Sequence, residues 1–247
     1  MCFHTSTTDK VKRLEKHFKV KISDSKLETY FDKPTYHHNG FTHPNMLVIP
    51  QEKSEFLAPA VWGIVPKDKT VDEIKPYFKE SVRYGGGLNA RSEKVFDHFI
   101  YKDSIMSRRC IIPVSGFFEP HDHKKKKYPY YFKNADDSPL ALAGIYTVID
   151  TYITFTILTK SASPLFEKIH NLKKRQPMIL SLKDSKNWLD NNLETIQVSE
   201  LLKHTYLESN LETYPVSKDL FSPKTDSNKE EIINKVNYPE FKQESLF

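Results

Sequence analysis

Cys2, Asn89, Glu119 and His170 are the residues of this chain whose types suit covalent chemistry, and they lie in four segments far apart in sequence. Cys2 directly follows Met1. Loss of Met1, usual when the next side chain is small, would leave a terminal cysteine carrying an α-amine and a thiol on adjacent carbons. The amine, with an unperturbed pKa of about 7.7–8.0, and the thiol, at about 8.5, both keep a reactive fraction near neutrality. Such an amine condenses with an aldehyde to an imine, and the thiol then closes on the imine carbon to give a five-membered thiazolidine. An internal cysteine cannot do this.

The other three residues could position groups and move protons around such a reaction. Asn89 and Arg91 follow three glycines in YGGGLNAR (84–91), a stretch free to take positive φ and approach a ligand closely. It is no Walker loop, because GKS or GKT is missing. Glu119 ends the apolar run CIIPVSGFFEP, and a carboxyl group at the edge of an apolar core is placed to trade protons near neutral pH. His170, in KIHN, is an imidazole, which titrates close to neutrality when unperturbed. Trp62, Phe117 and Phe118 are of a type to stack on bases, and Arg91 and Arg175 to hold phosphates. Each feature also has an ordinary structural reading, as a glycine turn, a strand-end glutamate or a core aromatic. The run Lys124 to Lys127 reads first as a solvated hairpin tip.

The elements that must position these groups are mostly strands. MLVIP (46–50), CIIPVSGFF (110–118), YPYYF (128–132), LALAGIYTVI (140–149) and YITFTILT (152–159) are rich in β-branched and aromatic residues and bounded by Pro, Gly or Asp. Helical spacing appears at 9–18, at 71–80 with an interruption at Pro76, at 183–191 and near 197–204. In SPLFEKIH, Ser163 reads as an N-cap with Pro164 at the first helical position, which puts His170 at the helix end. The expected fold class is α+β, a compact barrel-like core of mostly antiparallel strands with flanking helices. One domain over residues 1–222 is expected, with a polar tail over 223–247 that should be poorly ordered apart from VNYP.

Composition narrows the function classes. At 247 residues, 38% hydrophobic and 28% charged, the chain can bury a real core. No apolar run approaches the roughly 18 residues of a bilayer span, and MCFHTSTTDKVKR lacks the apolar stretch of a signal peptide. With two cysteines there is no disulfide framework, so a reducing, cytoplasmic setting is expected, close to the nucleoid if the partner is DNA. No metal or organic cofactor is implied. A net charge of +5 permits a polyanionic partner without requiring one. Three classes stay open on residues alone: a protein that captures aldehydes, an N-terminal-nucleophile or cysteine hydrolase with His170 as base, and a noncatalytic binder of single-stranded nucleic acid.

The motifs MC, WGIVP, LNARSE, RRCIIPVSGFFEP, LALAGIY, TFTILT, IHN followed by RQPMIL, and YPVS occur in an order that resembles the SRAP family over residues 1 to about 217. The resemblance implies a monomeric sensor of abasic sites in single-stranded DNA that crosslinks to them through Cys2, with a barrel-like core and a positively charged DNA channel. It assigns the family's asparagine to Asn89, its glutamate to Glu119 and its histidine to His170. It also implies that Arg91 binds phosphate and that Trp62 and Pro44 wedge or contact bases. Removal of Met1 has been read in this family as self-cleavage, which is the origin of a peptidase label. The chain departs from the pattern in four places. Phe3 and His4 replace a glycine and a DNA-touching arginine, Pro120 follows the glutamate in place of tryptophan, WGIVP lacks a following tryptophan, and three extra residues separate His170 from RQP.

Overall fold

The computed structural model describes residues 2–242. Its strands are β1 (His4–Thr7), β2 (Lys21–Ile22), β3 (Thr35–Asn39), β4 (Asn45–Pro50), β5 (Phe56–Trp62), β6 (Asn89–Arg91) and β7 (Arg109–Val114). They continue as β8 (Gly116–His123), β9 (Lys126–Asn134), β10 (Leu140–Ile149), β11 (Tyr152–Ser161), β12 (Arg175–Pro177), β13 (Ile179–Leu180) and β14 (Leu211–Pro215). Five of them close into a barrel in the order β5–β4–β7–β10–β11, the ring being completed by a parallel pairing that sets Thr154 beside Val61 and Phe155 beside Trp62. Closure removes the open edges that β10 and β11, both long and apolar, would otherwise expose. A second, antiparallel sheet runs β14–β9–β8–β1–β3 and holds the N-terminal strand between two others.

The two sheets share one covalent path. The apolar run that begins at Arg109 divides at Ser115 into β7 of the barrel and β8 of the second sheet. Ser115 makes the corner: its hydroxyl oxygen accepts from the amides of Thr8 and Asp9 at 2.8 and 3.1 Å, and its amide donates to Ser6 O at 2.9 Å. Beyond the corner, Phe117 joins the apolar cluster that contains Cys2, Trp62 and Phe132, while Phe118 joins a separate cluster with Tyr131, Val216, Leu220 and Ile232. Alternation along a strand puts Glu119 on the face of Phe117, toward Cys2.

Two expectations need correction. The helix Val71–Ser81 runs through Pro76 without interruption, because Ile74 and Phe78 pack with Val65 and Ile149 and outweigh the one lost backbone hydrogen bond. Residues 223–242 of the expected tail are also tied down well beyond VNYP, and residues 243–247 lie outside the described residues. Asn228 Oδ1 accepts from the amides of Tyr36 and His37, Ile232 is buried, and the Tyr238 hydroxyl donates to Val216 O at 2.7 Å. Polar composition concealed a wrapping segment that spends its few apolar residues on the second sheet. Among the described residues no helix is long and apolar enough to cross a membrane.

Candidate functional site

Local folding delivers the four residues to one place. Gly85, Gly86 and Gly87 all take positive φ, at 94°, 65° and 66°, turning the chain so that Leu88 is buried and Asn89 begins β6 beside Ile157 of β11. At Gly87 a Cβ would lie 2.6 Å from Ile64 O, so this turn needs glycine for space as well as for its backbone angle. Asn89 Nδ2 donates to Cys2 O at 2.9 Å. Its Oδ1 is buried and has no hydrogen-bond partner among the described residues.

His170 caps the C-terminal end of the helix Pro164–Ile169. Pro164 occupies the first turn as expected, but the Ser163 side chain does not cap the helix. Glu208 does so instead, accepting from the Leu165 amide at 2.9 Å and from the Ser163 hydroxyl. Phe166 stacks on Phe132 and Phe117, which fixes the helix against the cluster that contains Cys2. His170 Nδ1 hydrogen-bonds to Arg175 O at 3.0 Å and lies 3.0 Å from Glu119 Oε2. Since the carbonyl of Arg175 can only accept, Nδ1 is the donor in that hydrogen bond. The three extra residues between His170 and RQP form a turn, with Lys174 N donating to His170 O at 2.9 Å, and so do not separate His170 from Arg175.

Cys2 is fully buried, and so is Glu119. Burial pushes the Cys2 thiol well above its ordinary pKa, and the nearby Glu119 carboxylate pushes it the same way. Cys2 therefore rests as a thiol, with Sγ 3.8 Å from His4 O. Asn89 thus holds the Cys2 carbonyl, Glu119 acts electrostatically on the Cys2 thiol, and Glu119 and His170 lie within hydrogen-bond range of each other. A cavity of about 870 Å³ between Phe18, Ile49, Ile111 and Leu189 shares none of these residues. No group of three or more His, Cys, Asp or Glu able to hold a metal ion occurs among the described residues.

The residues expected to touch DNA are placed differently from one another. Arg91 is exposed at the end of β6, and Pro44 is half-buried just before β4. Trp62 is completely buried, its indole N–H donating to Leu88 O at 2.9 Å, so it is core in this structure and offers no face to a base; Phe117 and Phe118 are equally sealed. Arg175 is buried and held by both carboxylate oxygens of Glu93, at 2.7 and 3.0 Å, and by Thr159 O. That pairing explains its fixed position without any phosphate. His4 shares a 2.8 Å hydrogen bond with His37, and burial lowers its pKa to about 3, so it cannot supply the positive charge an arginine would.

Asn171 escaped the sequence reading, although its position after a helix-ending histidine was a signal. Its side-chain amide donates to Asp122 O at 2.8 Å and its Oδ1 accepts from Asp122 N at 3.0 Å. This clamps the end of the His170 helix onto the strand that carries Glu119.

A sequence profile described as SOS response associated peptidase (SRAP) matches residues 1–223. The chain belongs to the SRAP family. Among its relatives in this family, the abasic site processing protein YoqW of Bacillus subtilis is 28% identical over 178 residues, covering 68% of this chain and 74% of YoqW. The abasic site processing protein YedK of Escherichia coli is 27% identical over 118 residues, covering 46% of this chain and 52% of YedK. A crystal structure of a protein from Bacteroides thetaiotaomicron matches with a TM-score of 0.82 and 26% identity, over 96% of this chain and the whole of that one. The α+β class with a barrel-like core, expected from the sequence, is the architecture of this chain, and its fold matches that crystal structure.

Proposed function

We propose that this chain, once Met1 is removed, captures the ring-opened aldehyde of an abasic site in single-stranded DNA as a thiazolidine on Cys2. The observation that carries the reading is the gathering of Asn89, which donates to the Cys2 carbonyl, and of the Glu119–His170 pair, whose carboxylate acts electrostatically on the Cys2 thiol, around a residue able to present an amine and a thiol together. Relatives named abasic site processing proteins support the substrate class.

An abasic deoxyribose is mostly a closed hemiacetal, so its ring must open first. His170 transfers the proton at the ring oxygen, and the Cys2 amine adds to C1′. Glu119 moves protons as the carbinolamine loses water to give the imine. Asn89 holds the Cys2 carbonyl through Nδ2 and so aims the amine. The thiol then adds to the imine carbon, its proton passing to nitrogen, and the ring closes with a net loss of one water. The raised pKa of the thiol suits this order: it stays protonated until a cationic iminium forms beside it. Closing the thiazolidine removes the imine that would otherwise promote β-elimination and strand breakage.

The test is to incubate processed protein with a single strand carrying one abasic site, beside a Cys2→Ala control, on denaturing gels and by intact mass spectrometry. The expected product has the summed mass less one water and is absent with Cys2→Ala, which retains an amine and forms only a transient imine. Heat-stable adducts with Cys2→Ala would overturn the assignment. Repeated turnover of a peptide substrate without an adduct would favour a hydrolase.

A further inference from the structure

The sequence places a phenylalanine next to Cys2, and the fold gives that ring a partner. Phe3 and Phe41 lie with ring centroids 4.9 Å apart at an interplanar angle of 36°. Phe3 packs half-buried against the cluster that contains Cys2, while Phe41 is 46% exposed on the short turn Gly40–Thr42 between β3 and β4. That turn is rigid. Asn39 Oδ1 accepts from the Phe41 amide at 3.1 Å, the Thr42 hydroxyl donates to Asn39 O at 2.8 Å, and the turn closes with His43 N donating to Gly40 O at 2.9 Å.

The turn is also locked to the N-terminal segment. Gly40 N donates to Phe3 O at 2.8 Å, and a Cβ at Gly40 would come within 3.2 Å of that same oxygen and of Leu88 Cδ1. Both rings are thus held in register with Cys2, whose Cα is one trans-peptide step, about 3.8 Å, from that of Phe3. Phe41 packs on Phe3 and leaves the rest of its ring exposed beside Cys2. Trp62, Phe117 and Phe118, the aromatics that the sequence offered for stacking, are sealed in the core.

We infer that Phe3 and Phe41 form a stacking platform for the nucleobase that flanks the abasic sugar. This rests on the reading of Cys2 as the residue that captures that sugar. The base next to an abasic site has lost one stacking neighbour and turns a bare π-face toward the reacting sugar, so a ring one residue from Cys2 replaces the missing partner. Every base has such a face, so the platform is sequence-tolerant, with the larger purines held more tightly.

The experiment separates this contact from the covalent step. Equilibrium binding is measured by fluorescence anisotropy with single strands whose central nucleotide is tetrahydrofuran, an abasic analogue that has no aldehyde and cannot crosslink. One strand has adenines on both sides of it and the other has further tetrahydrofuran residues there. Wild-type protein should bind the adenine-flanked strand about tenfold more tightly, within the range of a base–aromatic stack. Phe41→Ala should erase that preference while leaving affinity for the other strand unchanged, and Phe41→Leu should lose most of it. Equal weakening toward both strands, or no flanking-base preference in the wild type, would overturn the platform. Thermal melts of both variants show that the turn still folds. Crosslinking of a true abasic strand is read in parallel, and its failure with the binding preference intact would count against the covalent reading alone.

Discussion

Two buried polar clusters in this protein are built on opposite rules. Around Arg109, which is fully buried, every guanidinium nitrogen donates to a backbone carbonyl: Nε to Trp188, Nη1 to Ile105 and Met106, and Nη2 to Asp190. Burial brings its pKa down to about 10, which leaves it charged at neutral pH. Around Cys2 the polar groups are only partly matched. Asn89 Oδ1 is buried without a hydrogen-bond partner among the described residues. An unmatched buried polar atom costs about 1–3 kcal/mol. The first cluster holds structure together; the second leaves an acceptor unmatched at the place where the proposed function would need one.

The sharpest way to break this contrast is Arg109→Met, which strands several buried carbonyls at once. It should lower the unfolding free energy by about 3–5 kcal/mol in urea titrations, with crosslinking per folded molecule unchanged. A loss under about 1 kcal/mol would show that the carbonyl cage is not what stabilises that end of the barrel. Glu119→Gln is the complementary change. It should slow crosslinking by about 100-fold while leaving stability and affinity for single-stranded DNA close to wild type. Parallel loss of DNA affinity would move Glu119 to a structural role.

A smaller effect is expected with pH. Burial lowers the pKa of His4 to about 3 and of His37 and His38 to about 4, against an ordinary value of 6.5. Their native forms are neutral, so the unfolded chain binds more protons below pH 6.5. Their contribution to stability is fully present above about pH 6.5 and is lost as pH falls toward about 4. The melting temperature should therefore decline across that window, and His37→Gln should flatten the decline. An unchanged slope would mean that these rings titrate freely in the native state.

Residue chemistry singled out four candidate positions that the fold gathers in one region. Cys2 was marked by its place in the chain, Asn89 by the glycines before it, Glu119 by the apolar run it ends and His170 by its helix. The strands were readable for a similar local reason, because β-branched and aromatic runs between turn residues need few distant facts to interpret. What failed was exposure. Whether Trp62 meets a base or Leu88 O, whether Arg175 meets a phosphate or Glu93, and whether His4 faces solvent or His37 depend on partners 26, 82 and 33 residues away. The segment after Ser222 was misjudged for the same reason, since Asn228 earns its place only by capping the amides of Tyr36 and His37. Asn171 was missed because an amide that pairs with a strand backbone looks, in sequence, like any polar turn residue.

The central position of β1 sets a clock on the birth of the protein. Strand β1 is sealed between β3 and β8, and β8 ends at His123, so the first residues stay unpaired on that side until about half of the chain has left the ribosome. At about 5–20 residues per second that interval is roughly 6–25 s. The proposed chemistry needs the Cys2 amine uncovered, yet the finished fold buries Cys2 completely. An aminopeptidase working on the nascent chain has that interval in which to act. Slow codons before β8 would lengthen it, and under the proposed function the fraction of molecules able to react would then be set in part during translation.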